Sequence, residues 1–381
     1  MTKDFLVKYN SLAFVLLVFV YSLTTVFSLV VNQGYLIIAS ALLIIGPAII
    51  LSFTYDFRIS NVKALILDFV LIFVLVIEYL SHYQYQATIQ STIVSMASIG
   101  TLGLLVGSSR IDLHYCERYL KVFMYICFVL SLVYLVLIRG NFLLSMRFGY
   151  ALLPSTIAFL YFFFKEHKVL YLLLFFLSVV LFMAWGSRGA LLVIILYLLL
   201  NLIKKQNWLL LIIFSLVIIV SWGFLMQLLE DFLYMVADLT GARKIESLLR
   251  LVSGDVEMLE ASAGRDVLFQ RSIQLFIENP FGCGVGYWSV DPIMNGLYPH
   301  NILLQIATEL GIVGLLFFIV CFILMIIKLF SFNNDSFLFW GMLFSIVFGR
   351  LLVSSSFWER PEFWLIVSAL LFSSNIPNKT P

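Results

Sequence analysis

Charge is the first thing this sequence has little of. Only 12% of its 381 residues are Asp, Glu, Lys or Arg, roughly half the usual soluble share of about 25%. The formal net charge of +2 says little by itself, and no nucleic-acid partner is expected. Cysteine is also scarce. Cys116, Cys127 and Cys321 fall in or near apolar stretches or short basic intervals, leaving Cys283 alone in the long polar interval, so a disulfide framework is excluded. The four histidines, His82, His114, His167 and His300, are scattered, and no Cys/His group has metal-ligand spacing, so neither a metal nor a cofactor is expected. Long polar stretches are absent except for one, between residues 230 and 299.

What is abundant is apolar: 62% of the residues are hydrophobic and 37 are Phe. That composition lies outside the soluble range and within that of polytopic membrane proteins. The run Ser11–Val31 lacks a small-residue cleavage pattern and reads as a first transmembrane helix, not a signal peptide. Taking apolar runs of roughly 17–25 residues as spans places helices near 11–31, 35–53, 64–80, 88–107, 119–138, 148–164, 168–185, 189–203, 208–229, 301–327, 336–354 and 361–374. The expectation is therefore an all-α polytopic membrane protein of about twelve transmembrane helices. One long, partly helical periplasmic loop would lie between helices 9 and 10. Residues 1–229 would hold helices 1–9, residues 230–299 the loop, and residues 300–381 helices 10–12 and a tail.

The short intervals sort by charge. Lys3, Lys8, Arg58, Lys63, Arg110, Arg118, Lys121, Lys165, Lys168, Lys204, Lys205 and Lys328 share one side, which the positive-inside rule makes cytoplasmic, together with both termini. The other side carries Arg139, Arg147, Arg188, Arg243, Arg250, Arg265, Arg271, Arg350 and Arg360 but a single lysine, Lys244. Lysine suffices for topology, whereas the planar guanidinium suits carboxylate and phosphate. As a set these arginines look like an anion-binding vestibule. Individually, each has an alternative role as a headgroup anchor.

Chemistry is expected between Ser262 and Gly314. Ser262 can cap a helix carrying Val267, Leu268, Ser272, Leu275 and Phe276 at helical spacing, and Pro280 stops it. Arg265 then sits in the first turn, where it opposes the helix dipole but joins free backbone N–H groups in an anion site. Gly282, Gly284 and Gly286 form a turn that lacks the strand and spacing of a nucleotide-binding fingerprint. His300 and Asn301 open the next apolar helix. Glu309 lies about two and a half turns beyond His300, poorly placed to pair with it and in need of a partner within the bundle. Gly311 and Gly314 read as a small-residue packing face. Asp68 and Glu78 fall in the third span, with structural partners or, for Glu78, contact with the vestibule as their readings. Asp255, Glu257, Glu260, Asp266 and Asp291 read as mostly solvated. Arg139 and Arg147 flank the loop RGNFLLSMRFGY, and Arg188 sits in a tight turn between Gly186 and Gly189. Short amphipathic helices within residues 233–251 would cover the mouth of the bundle.

In this order and sidedness, WGSRGALLVIILYLLL, AGRDVLFQRSIQLFIENPFGCGVGYW and PHNILLQIATELGIVGLL resemble the O-antigen polymerase and ligase superfamily of bacterial membrane glycosyltransferases. The resemblance implies a metal-independent enzyme of the inner membrane that acts at the periplasmic face. It would transfer glycan from an undecaprenyl-diphosphate carrier to an acceptor hydroxyl. It implies Arg188 and Arg265 as diphosphate ligands, with Arg271, Arg139, Arg147 and Asn301 as further substrate contacts, and His300 beside the attacking hydroxyl. Helix capping or a headgroup contact is the alternative for His300. A polymerase acting on a lipid-linked repeat unit is the primary expectation. A ligase acting on lipid A–core is the alternative, and a lipid-linked oligosaccharide flippase a third reading from another class. Implied partners are the lipid-linked donor, the acceptor, membrane lipids, a chain-length regulator and a flippase.

Overall fold

A computed structural model of the chain describes residues 2–27, 40–137, 147–184, 189–207, 265–354 and 356–372. Among these residues the secondary structure is helical, with no strand. The α-helices are α1 (Lys3–Phe27), α2 (Gly46–Tyr55), α3 (Ile59–Ser81), α4 (Gln86–Ser95), α5 (Thr101–Ser108), α6 (Leu113–Leu137), α7 (Arg147–Glu166), α8 (Val169–Ala184), α9 (Gly189–Lys204), α10 (Arg265–Glu278), α11 (Ile302–Ser331), α12 (Asn334–Leu351) and α13 (Pro361–Phe372). A π-helical segment, Met96–Gly100, joins α4 to α5. Apart from α10, the described helices overlap the expected spans, but 208–229, residues 28–39 of the first two spans and residues 230–264 of the expected loop lie outside the described residues.

Among the described residues four stretches are long and apolar enough to cross a membrane: Lys3–Thr25, Ile59–Ser81, Tyr83–Ser108 and Ile302–Ser331. Leu42–Tyr55, Val169–Leu181, Gly189–Lys204 and Pro361–Phe372 are apolar but shorter. On α3 and α11, Phe69, Phe73, Val313, Leu316 and Phe317 are exposed, a surface that lipid satisfies and water does not.

The chain divides into two compact units, one of residues 1–20, 34–120 and 265–381, the other of residues 21–33 and 121–264. In the second unit α7 and α8 pack together, and Glu166 receives Lys121 and, at 2.8 Å, Lys168. The first unit is built around α12, α13 and α5. Every residue of α12 from Phe339 to Leu351 is buried. Helix α5 approaches α13 closely because Gly103 and Gly107 present no side chain to it: an added Cβ would lie 2.4 Å from the Pro361 carbonyl oxygen and 2.3 Å from that of Leu365, respectively. Ser368 donates to the Leu104 carbonyl across the same seam at 2.7 Å. Asp68 accepts from Thr101 at 3.0 Å, the structural partner expected of it.

Polar side chains gather at both ends of α3. Near its start Ser60 and Asn61 bond to Ser108, and Asn10 on α1 reaches the Arg110 carbonyl. Near its end Glu78 and His82 lie beside Gly284. The 18 residues from Ser60 to Glu78 span about 27 Å of helix, so the basic end carrying Arg58, Lys63 and Arg110 and the end carrying the glycine turn are a hydrocarbon thickness apart.

Gly107→Val would force α5 off α13. We expect a loss of about 2 kcal/mol or more, since overpacked sites typically cost 1–3 kcal/mol, read as a lower unfolding midpoint in detergent. An unchanged midpoint would show that this seam is not tightly packed.

Candidate functional site

The site begins with a break in a helix. Gly311 within α11 has φ 63° and ψ −160°, a conformation essentially confined to glycine. The break frees carbonyls of the preceding turn, and the segment after α10 takes them up: Cys283 N donates to Thr308 O at 2.8 Å and Gly284 N to Glu309 O at 3.1 Å. In return Ile312 N donates to Pro280 O at 2.8 Å. A Cβ on Gly311 would lie 2.2 Å from the Phe281 carbonyl carbon. Gly311 is therefore not the packing face that its spacing with Gly314 suggested. It is the point where α11 opens to admit another strand of backbone.

On the other side of the turn, Gly284 has φ 94°, and a Cβ there would meet the Tyr85 hydroxyl at 2.4 Å and Glu78 Oε2 at 2.8 Å. Tyr85 donates to the Cys283 carbonyl at 2.7 Å, and His82 Nδ1 lies 3.1 Å from Glu78 Oε2. The glycine turn is thus wedged between the start of α4 and the opening in α11.

Glu309, one of the most deeply buried carboxylates here at 3% exposure, gathers donors from three segments. Oε1 accepts from Trp288 Nε1 at 3.0 Å, Gln305 Nε2 at 3.2 Å and Gly286 N at 3.4 Å, and Oε2 accepts from Trp358 Nε1 at 2.9 Å. These are the partners within the bundle that its position demanded. Gln305 also donates to Ser356 Oγ at 3.0 Å, fixing the segment that joins α12 to α13.

That segment holds His300. The Ser354 carbonyl accepts from the Tyr298 hydroxyl at 2.7 Å and hydrogen-bonds to the His300 ring as well. His300 Nδ1 is buried and has no hydrogen-bond partner among the described residues. The backbone at His300 is left-handed, φ 55°, a conformation costing roughly 1 kcal/mol or more for a residue with a side chain. Its ring centroid lies 4.2 Å from that of Tyr298, which contacts Trp288 in turn.

Arg265 is the first described residue of α10 and is half-buried; Ser262, expected to cap this helix, lies outside the described residues. Its charge acts on both His300 and Tyr298. Burial and then the Arg265 guanidinium hold the His300 pKa below the ordinary histidine value of 6.5, against the opposing Ser354 hydrogen bond. Tyr298 is pushed up by burial, while Arg360, Arg350 and Arg265 pull the other way. The charges of Arg360, Arg350, Arg265 and Glu359 thus reach Tyr298, whose ring contacts His300. Arg350 is itself buried and lies 3.5 Å from Glu362.

Other expected site residues are engaged within the protein. Arg271 forms hydrogen bonds of 3.0 and 2.8 Å to Asp291 and lies 3.7 Å from Glu278. Asp291 is 2% exposed, contrary to the expectation that such carboxylates are solvated. Burial would raise its pKa, but Arg271 and the Met294 and Ile293 N–H groups outweigh this and lower it. Asn301 caps α11, accepting from Leu303 N and Leu304 N at 3.0 and 3.2 Å while donating to Leu352 O at 3.1 Å. Arg147 opens α7. Arg139 and Arg188 lie outside the described residues. The structure thus brings Arg265 and His300 together and adds Tyr298, Ser354, Arg350 and Arg360. Sequence reasoning had placed both arginines in the vestibule but had given Tyr298 and Ser354 no role. The only available signal for them was proximity to PHN and to the charged end of α12.

Asn301→Ala removes a cap and a tether to the segment that holds His300. Loss of such a cap costs about 1 kcal/mol, so a modest fall in the unfolding midpoint is expected, with Asn301→Asp retaining the cap. Equal midpoints for Asn301→Ala and the parent would rule that role out.

Residues 173–319 match a family model described as O-antigen ligase, a stretch that contains Arg265, His300 and Glu309. No curated protein matches the chain.

Proposed function

Because the chain carries, over residues 173–319, a domain of the O-antigen polymerase and ligase superfamily, whose members are membrane glycosyltransferase-like enzymes, we propose that it is a surface-polysaccharide polymerase of the bacterial inner membrane. It transfers glycan from undecaprenyl diphosphate to the non-reducing end of a lipid-linked repeat unit. The reaction takes place at the periplasmic face, with both termini cytoplasmic. The observation that carries this reading is the convergence of Arg265 and His300, with an unpartnered Nδ1, at one end of a helical unit whose other end is basic.

In the proposed reaction the acceptor hydroxyl gives its proton to His300 Nδ1 as its oxygen attacks the anomeric carbon. The bond to undecaprenyl diphosphate breaks, and the electron pair leaves with the diphosphate. Arg265, joined in this proposal by Arg188, stabilises the developing negative charge. A neutral imidazole is what a base requires, and the lowered pKa keeps His300 neutral at physiological pH. Arg271 and Asn301, engaged by Asp291 and by the helix start, support the site and do not reach for substrate. The ligase reading has one observation in its favour, the description of the matching family model. Donor, base and arginines would be the same, and the acceptor would be lipid A–core.

The purified protein in nanodiscs, given only a lipid-linked repeat unit, is expected to yield a ladder of lipid-linked polymer. Transfer only when lipid A–core and a polymeric donor are supplied would establish the ligase instead. Arg265→Ala and Arg188→Ala should each lower turnover about 10²-fold or more, the scale for removing one preorganised charge-stabilising donor. Full activity in both would remove the diphosphate clamp.

Activity needs His300 unprotonated, so it should hold through neutral pH and fall only on acidification, with the acid limb of kcat below the ordinary histidine value of 6.5. His300→Ala should remove that limb along with most of the turnover. A limb above 6.5, or one surviving His300→Ala, would assign the proton transfer to another group.

A further inference from the structure

Glu309 lies in the apolar helix that follows the site. As a carboxylate its four donors are the Gly286 N–H, the Trp288 and Trp358 indoles and the Gln305 amide. Two routes run from it to His300. Along one, Trp358 and the Gln305–Ser356 bond fix the segment between α12 and α13, where the Ser354 carbonyl receives both Tyr298 and the His300 ring. Along the other, Gly286 and Trp288 fix the glycine turn, and Trp288 meets Tyr298, whose ring lies 4.2 Å from that of His300. Both segments meet at one carboxylate, which adds to the backbone bonds of Cys283 and Gly284 on α11 and to the Gln305–Ser356 bond.

We propose that Glu309 is a positioning residue: its carboxylate, accepting from Gly286, Trp288, Gln305 and Trp358 at once, holds the His300 imidazole against Ser354 and beside Arg265 with Nδ1 facing the acceptor. This deepens the reading of His300 as general base and rests on it. A carboxylate is required because all four neighbours donate, and an amide cannot accept on both arms. In Glu309→Gln the amide nitrogen must face either the Trp358 indole or the three donors on the other side. One donor in the first case, or up to three in the second, then loses its acceptor, and the segment it ties is loosened.

Arg265 on α10 bears on His300 itself, while Arg350 on α12 and Glu359 and Arg360 in the adjoining segment bear on its ring neighbour Tyr298. Release would return His300 toward solvent and away from Arg265, the two causes that lower its pKa. Its titration would therefore rise toward 6.5.

The test is histidine NMR on the full chain in nanodiscs labelled at imidazole carbon. The chain has four histidines, and the resonance missing from His300→Gln is assigned to His300. In Glu309→Gln the His300 midpoint is expected to move up, with those of His114 and His167 unchanged, and kcat on lipid-linked repeat unit to fall tenfold or more at nearly constant KM. Adding Trp358→Phe to Glu309→Gln removes the indole that faces the amide and should recover part of both effects. An unmoved His300 midpoint in a folded Glu309→Gln protein overturns the proposal, as does a Glu309→Gln kcat equal to the parent's. Should Glu309→Gln fail to fold, Glu309→Asp keeps the charge one methylene short and must shift the midpoint in the same direction. Failure of the functional reading looks different: the midpoint shifts as expected, but no variant, nor the parent, transfers glycan.

Discussion

A peptide backbone opened inside an apolar helix must find new hydrogen-bond partners, because lipid offers none and each unsatisfied group costs several kcal/mol. Gly311 opens α11, and the chain answers with another part of itself, the segment from Pro280 to Gly284. That exchange of backbone bonds ties the polar stretch after α10 to the membrane helix. Without it the stretch would be a loop joined only at its ends. With it, Cys283 and Gly284 have fixed positions relative to Thr308 and Glu309, and every residue up to His300 inherits that placement.

The side chains then reinforce what the backbone sets. Glu309 sits at the same break and takes donors from the glycine turn, from its own helix and from the segment before α13. Asp291, bound to Arg271 and to two backbone N–H groups, fixes the middle of the polar stretch. Asn301 closes it by capping α11 and holding Leu352. The strained left-handed backbone at His300 can persist because the residues around it are held from several directions. Rigid support matters in a site of this kind, since a base displaced by about 1 Å can lose two orders of magnitude in rate.

Much of this was legible from the residues. Helix positions followed from apolar run lengths, because the membrane demands about 20 apolar residues per span and leaves few alternatives. A helix ending before Pro280 and His300 lying before the next helix followed from Pro280 and PHN, which are local signals. Glu309 needing partners followed from the cost of a carboxylate in lipid. What stayed hidden depends on long-range pairing. Nothing in the spacing of Gly311 and Gly314 distinguishes a packing face from a break, and only Phe281 lying against Gly311 decides it. Asp291 reads as one more polar-loop carboxylate until Arg271, 20 residues away, is seen to bury it. The partners of Glu309 come from as far as Trp358, 49 residues on. Such pairings have no period and no motif, so a single sequence does not display them.

The arrangement of charge around Tyr298 carries its own logic. Three guanidinium groups and an imidazole in a part-buried cluster would repel one another if all were charged and unopposed. The structure reduces that repulsion in two ways. Arg350 is met by Glu362, and Glu359 adds a carboxylate beside Arg360. His300 responds to the remaining positive field by giving up its proton, pushed the same way by burial and by Arg265. The cluster that results is cationic at Arg265 yet basic at Nδ1 of His300, two properties that would oppose each other if the imidazole were free in water. A site that binds an anion and also takes up a proton would need both at once. Low dielectric around the ring achieves this without a second carboxylate to orient it, the Ser354 carbonyl serving in that place.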